Sequence, residues 1–172
     1  MLQLTDLIRD IPDFPKPGIL FKDITPLLGS PAGLALAVEM MASPYRGQGI
    51  QKVCGAESRG FIFGTAIAQA LSAGFVPIRK PGKLPAETKA ISYDLEYGSD
   101  TLEIHADAVH PGEKILMVDD LLATGGTMKA CCDLVSGIGA EIVGITVLIE
   151  LLALKGREHI GGPIDIHAVL EF

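Results

Sequence analysis

One segment limits what this chain can fold into: Ile115-Leu116-Met117-Val118, then Asp119-Asp120, then Thr124-Gly125-Gly126-Thr127 ahead of a helical stretch. Four apolar residues in succession suit a strand covered on both faces, as in a parallel sheet, rather than the alternation of a half-exposed one. Two carboxylates close the strand, at the end where α/β sheets place their ligands. The glycines let backbone N–H groups approach an anion closely, and the helix that follows adds the partial positive charge of its N-terminus. Thr124 and Thr127 can donate to phosphate oxygens. Asp119 and Asp120 would repel a phosphate, so they suit sugar hydroxyls or a metal ion that neutralises part of the ligand. The segment is neither a GxxxxGK[ST] loop nor a GxGxxG turn.

The rest of the chain repeats the same alternation. Strands are expected at residues 53–56, 75–79, 114–118, 141–149 and 164–170. Helices are expected from Pro31, with Ser30 as N-cap, at residues 60–73 with Gly74 closing them, and at residues 126–135. Leu2, Leu4, Leu7 and Ile8 predict a further helix over residues 1–10, stopped by Pro12. Apolar strands separated by helices define an α/β protein with a parallel sheet flanked by helices. Residues 80–110 break that rhythm: a polar stretch rich in Pro, Gly and Lys, then a hairpin turning near Gly98-Ser99-Asp100. Such excursions are commonly lids.

With 172 residues, a single domain is expected. Fourteen basic and 21 acidic residues give a net charge of −7, which argues against a nucleic-acid partner. The longest apolar stretch, residues 142–154, is interrupted by Glu150 and is too short for a membrane span, and residues 1–10 lack the apolar core of a signal peptide. Cys54, Cys131 and Cys132 form no disulfide framework, which fits a reducing cytoplasm. The overall acidity hides a local excess: Arg79, Lys80, Lys83 and Lys89 share a short window with only Glu87, a net of +3.

Residues 118–127, VDDLLATGGT, resemble the PRPP-binding signature of the type I phosphoribosyltransferases. Further pieces are similar to the adenine-specific branch of that family. They are Pro12-Asp13-Phe14-Pro15, Phe21-Lys22-Asp23-Ile24, Glu57-Ser58-Arg59-Gly60-Phe61, Arg79-Lys80-Pro81-Gly82-Lys83, Leu95-Glu96-Tyr97-Gly98 and Leu154-Lys155-Gly156-Arg157-Glu158. They follow family order over nearly the whole chain.

The resemblance implies a type I phosphoribosyltransferase fold in one domain spanning residues 1–172. Residues 1–30 would contribute a small hood and residues 80–110 a flexible hairpin flap. It implies the purine-salvage reaction adenine + PRPP → AMP + pyrophosphate, with Mg²⁺, in a homodimer. Asp119 and Asp120 would hold the ribose hydroxyls, with Mg²⁺ kept near them mainly through PRPP and water. Ala123, Thr124, Gly125, Gly126 and Thr127 would hold the 5′-phosphate. Ser58, Arg59, Arg79, Lys80, Lys83 and Tyr97 would meet pyrophosphate, with a cis peptide between Glu57 and Ser58. Adenine would lie between Phe21 and Leu154, against the main chain of Leu20 and Lys22, where many relatives have Arg in place of Lys22. In 6-oxopurine relatives an Asp usually precedes the Thr-Gly of the loop and serves the base; here that residue is Ala123. The acid/base role then falls to Glu96. The alternatives are a phosphoribosyltransferase for xanthine or a 6-oxopurine, and a non-enzymatic PRPP-binding regulator. Ala123 with the Phe21/Leu154 pair counts against the first. The lack of room for a DNA-binding domain counts against the second.

Overall fold

The computed structural model describes residues 2–94 and 99–172. A single 3₁₀ turn (Leu4–Leu7) leads into β1 (Arg9–Pro12) and β2 (Leu20–Asp23), which pair antiparallel. The helix expected over residues 1–10 is therefore one turn and a strand. Its polar end is taken up by cross-strand ion pairs, Arg9 with Asp23 at 2.8 Å and Lys22 with Asp10 at 2.7 Å. The short α1 (Thr25–Leu28) follows, then α2 (Pro31–Ala42), which begins as expected: the Ser30 hydroxyl accepts from the Gly33 N–H at 3.1 Å, and Pro31 opens the helix.

The chain then alternates through β3 (Lys52–Ala56), α3 (Arg59–Ala70) and β4 (Gly74–Ile78). The turn closing α3 differs from expectation. Ser72, at φ +54°, takes the left-handed position, and the Ala73 N–H reaches back to the Ala68 carbonyl, so Gly74 already belongs to β4. An antiparallel hairpin follows, β5 (Thr88–Asp94) with β6 (Ser99–His105). The last elements are β7 (Lys114–Leu122), α4 (Gly126–Ser136), β8 (Glu141–Glu150), α5 (Gly156–Ile160) and β9 (Ile166–Glu171).

Among the described residues the main sheet has five parallel strands in the order β4-β3-β7-β8-β9. β7 is buried on both faces, as its apolar run requires. Leu116 and Val118 join Met41, Phe63 and Ile67 under α2 and α3, while Ile115 and Met117 join Cys131, Val135 and Ile145 under α4. The three cysteines are free and buried. Among the described residues no helix is long and apolar enough to cross a membrane.

The strand order has one reversal. β3 is flanked by β4, the next sheet strand in sequence, and by β7, the one after that. α3 leaves β3 on one face of the sheet and α4 leaves β7 on the other. The loops after β3 and β7 therefore diverge and open a crevice at the carboxyl ends of the strands, the topological switch point.

Candidate active site

A cleft of about 430 Å³ occupies that crevice, lined by Glu57, Ser58 and Arg59 from the β3 loop and by residues 119–128 from the β7 loop. Ala123, Thr124, Gly125, Gly126 and Thr127, expected to form an anion cradle, all line it. Gly125 stands at φ +85° before α4, and among the described residues no side chain caps that helix. The N–H groups of its first turn are left to a ligand, and they favour an anion.

Gly125 has a second reason to be glycine. A Cβ there would lie 2.5 Å from the Gly156 carbonyl oxygen, and a Cβ on Gly156 would lie 2.5 Å from that of Ala123. The cradle thus rests directly on the backbone of the turn after β8. That turn is fixed in its own right. Glu150, 2% exposed, pairs with Arg157 at 2.6 Å, and Arg157 also donates to the Ile166 carbonyl at 2.6 Å. Gly156, Glu150 and Arg157 were missed as supports of the cradle. The glycine inside the Lys155-Gly156-Arg157 run was the available signal.

Asp119 and Asp120 lie side by side near the end of β7. The Asp119 carboxylate accepts the Asp120 N–H at 2.9 Å, and Asp120 pairs with Arg59 at 2.5 Å. Burial first, and the adjacent Asp120 charge second, push the Asp119 carboxyl well above its usual range, with Arg59 acting the other way. Arg59 neutralises Asp120, and Asp119 beside it has no ion pair of its own among the described residues. Carboxylate oxygens ligate a hard divalent cation or accept from a pair of hydroxyls.

The Glu57–Ser58 peptide bond is cis, as the resemblance implied. Glu57 organises the basic segment. It accepts from Arg79 at 3.3 Å, from the Lys80 N–H at 2.9 Å and from Lys83. Partial burial raises its pKa, but the Lys83 hydrogen bond, the Lys80 N–H and the charges of Lys83 and Arg79 outweigh that and hold it low. Lys80 also pairs with Asp100 of β6 at 2.9 Å. Arg79, Lys80 and Lys83 are thus gathered beside the β3 loop through Glu57, rather than lining the cleft themselves.

The residues expected to take the base divide into two groups at the rim. Phe21 packs edge-on against Phe14, and the Arg59 guanidinium lies 5.3 Å from its ring, tying β2 to Asp120. Leu20 is exposed, and Lys22 turns away to Asp10 and to the Phe172 ring, 4.0 Å from its centroid. Leu154 is 46% exposed and directly precedes the turn that supports the cradle. Glu96 and Tyr97 lie outside the described residues.

A crevice with an anion cradle, paired carboxylates and an assembled cationic segment beside it suits transfer of a phosphorylated sugar. Comparison with known proteins agrees. The family model described as phosphoribosyl transferase domain matches residues 27–164. A curated adenine phosphoribosyltransferase of Methylococcus capsulatus is 55% identical, covering 100% of both chains. Among solved structures, the adenine phosphoribosyltransferase of Rhodothermus marinus superposes with a TM-score of 0.93 at 53% identity, over 98% of this chain and 96% of that one. The Giardia lamblia enzyme, solved in complex with 9-deazaadenine, does so with a TM-score of 0.93 at 39% identity, over 100% and 99%. The chain belongs to the phosphoribosyltransferase family of enzymes, and within it to the adenine phosphoribosyltransferases.

Proposed function

We propose that the cleft between the β3 and β7 loops transfers the phosphoribosyl group of PRPP to adenine, releasing AMP and pyrophosphate. The observation that carries this reading is the uncapped, glycine-opened N-terminus of α4 beside Asp119 and Asp120 at the switch point. Ala123, Thr124, Gly125, Gly126 and Thr127 hold the 5′-phosphate, and Asp119 and Asp120 hold the ribose hydroxyls. The same two carboxylates stand where Mg²⁺ would be kept through PRPP and water. When bound, Mg²⁺ neutralises charge on the pyrophosphate. Ser58, Arg59, Arg79, Lys80, Lys83 and Tyr97 receive the departing pyrophosphate. Arg59 is the cleft cation in this set, and the Glu57 hub keeps three of the others close by.

Adenine enters between Phe21 and Leu154, read by the main chain of Leu20 and Lys22. The engagement of the Lys22 ammonium with Asp10 supports a main-chain role for that residue. As pyrophosphate leaves, positive charge grows on the ribose carbon. The chain lowers the barrier by aligning the base with that carbon and stabilising the leaving group. Glu96 manages the purine proton, and Glu96→Gln should lower kcat by about 10²–10⁴. The protein works as a cytoplasmic homodimer in this reading, and sedimentation tests the dimer. An assay with PRPP and Mg²⁺, offering adenine, hypoxanthine, guanine and xanthine separately, tests the reaction. Turnover is expected with adenine, and turnover of hypoxanthine without adenine would overturn it.

A further inference from the structure

Tyr93 belongs to none of the groups placed so far. It sits on β5, opposite Asp100 of β6, and its hydroxyl lies 3.3 Å from Oγ1 of Thr127 in the first turn of α4. The ring is partly buried and packs against the core cluster under α4. A phenylalanine would serve that packing equally well, so the hydroxyl needs its own explanation.

Thr127 has one proton and two acceptor positions. A phosphate ester near neutral pH is almost wholly an acceptor. If Thr127 contacts phosphate, it must give its proton to the phosphate. The bond between Tyr93 and Thr127 can then persist only with the phenol as donor. Burial raises the pKa of Tyr93 and the Asp100 charge adds to it, and together they outweigh the Thr127 hydrogen bond and Lys80, so the phenol keeps its proton. A donor hydroxyl behind Thr127 leaves that residue's proton free to point into the cleft and polarises it.

We propose that Tyr93 is a positioning residue for the phosphate of the sugar substrate: its phenol donates to Thr127 and so aims the Thr127 proton at the phosphate. The inference rests on reading residues 123–127 as the phosphate cradle. It also gives the β5–β6 hairpin a defined attachment. The Tyr93–Asp100 pair touches the cradle through Thr127 and the basic segment through Lys80.

The test is a double-mutant cycle on the full chain, using calorimetry with ribose 5-phosphate and, separately, pyrophosphate. Tyr93→Phe removes one oxygen and keeps the packing, so its melting temperature should fall by no more than a few degrees. It should weaken ribose 5-phosphate binding about fivefold, the usual worth of one neutral hydrogen bond. Pyrophosphate binding should not change, which a merely structural defect in the hairpin would not predict. In a Thr127→Val background, Tyr93→Phe should cost nothing more, because its acceptor is gone. Unchanged ribose 5-phosphate affinity in Tyr93→Phe, or losses that add in the double variant, would overturn the inference while leaving the cradle in place. Failure of the parent protein to bind ribose 5-phosphate would instead overturn the cradle reading, and this inference with it.

Discussion

Asp119 shows how function and stability oppose one another at a single residue. Asp119 is half-buried beside Asp120, and Arg59 is bonded to Asp120. With its folded pKa raised, Asp119 favours folding at low pH, and that contribution is lost as pH rises through the folded pKa. At neutral pH the charge therefore works against the ligand-free fold. Asp119→Asn keeps an oxygen to accept the Asp120 N–H and removes the charge. It should stabilise the ligand-free protein by about 1–2 kcal/mol, raising Tm by a few degrees. The same change should weaken PRPP binding in Mg²⁺. Thermal melting and calorimetry on one preparation check both halves, and a lowered Tm would mean the charge supports the fold. The sequence places both acids at the end of a strand, but only the three-dimensional arrangement tells which of them Arg59 neutralises.

Among the elements, the turn after β8 does most to shape the cradle. Its Gly156 carbonyl sits where a Cβ on Gly125 would be, and its own missing Cβ leaves room for the Ala123 carbonyl and the Leu122 side chain. Gly156→Ala meets backbone, which cannot swing aside as a side-chain tip can. It should cost about 1–3 kcal/mol of stability and raise the KM for PRPP several-fold. Steady-state kinetics with Tm measured in parallel would show it, and an unchanged KM would mean that the cradle does not depend on this support. The main-sheet strands and α2, α3 and α4 were legible because their apolar patterns stand out along the chain, with start signals at Ser30-Pro31 for α2 and Gly125 for α4. The β1–β2 hairpin was not. Its strands are held by Arg9–Asp23 and Lys22–Asp10 ion pairs, which leave no periodic apolar trace, while Leu4 and Leu7 imitate a helix with a single turn. The close approach of Gly125 to Gly156 joins residues far apart in sequence, so no local pattern announces it.

For the molecule as a whole, the net charge of −7 says little about how its carboxylates respond to acid. Several are held below their ordinary values by specific partners: Asp23 chiefly by the Thr25 hydroxyl, Glu39 by Arg46, Asp100 by Lys80 and Glu113 by Lys52. Glu57 shifts the same way, its hydrogen bonds and cations prevailing over burial. For each, the folded pKa lies below the unfolded one. The stability it contributes is complete above the unfolded value and disappears as pH falls through the folded value. Asp119 alone among these carboxylates runs in the opposite sense. From neutral pH down to about 5 the paired carboxylates should cost the urea midpoint nothing while protonation of Asp119 raises it, and the midpoint should decline below the ordinary glutamate value of 4.5. Glu57 is the most telling member, because it joins the β3 loop to the end of β4 and the basic segment beyond it. Glu57→Gln should lower the midpoint at pH 7, and the gap to the parent should narrow as pH falls through the lowered pKa of Glu57 and the parent carboxyl is protonated too. A gap that stays constant across the range would mean that Glu57 supports the fold by shape rather than by charge. The cationic segment would then have to be held at the cleft by something other than its carboxylate.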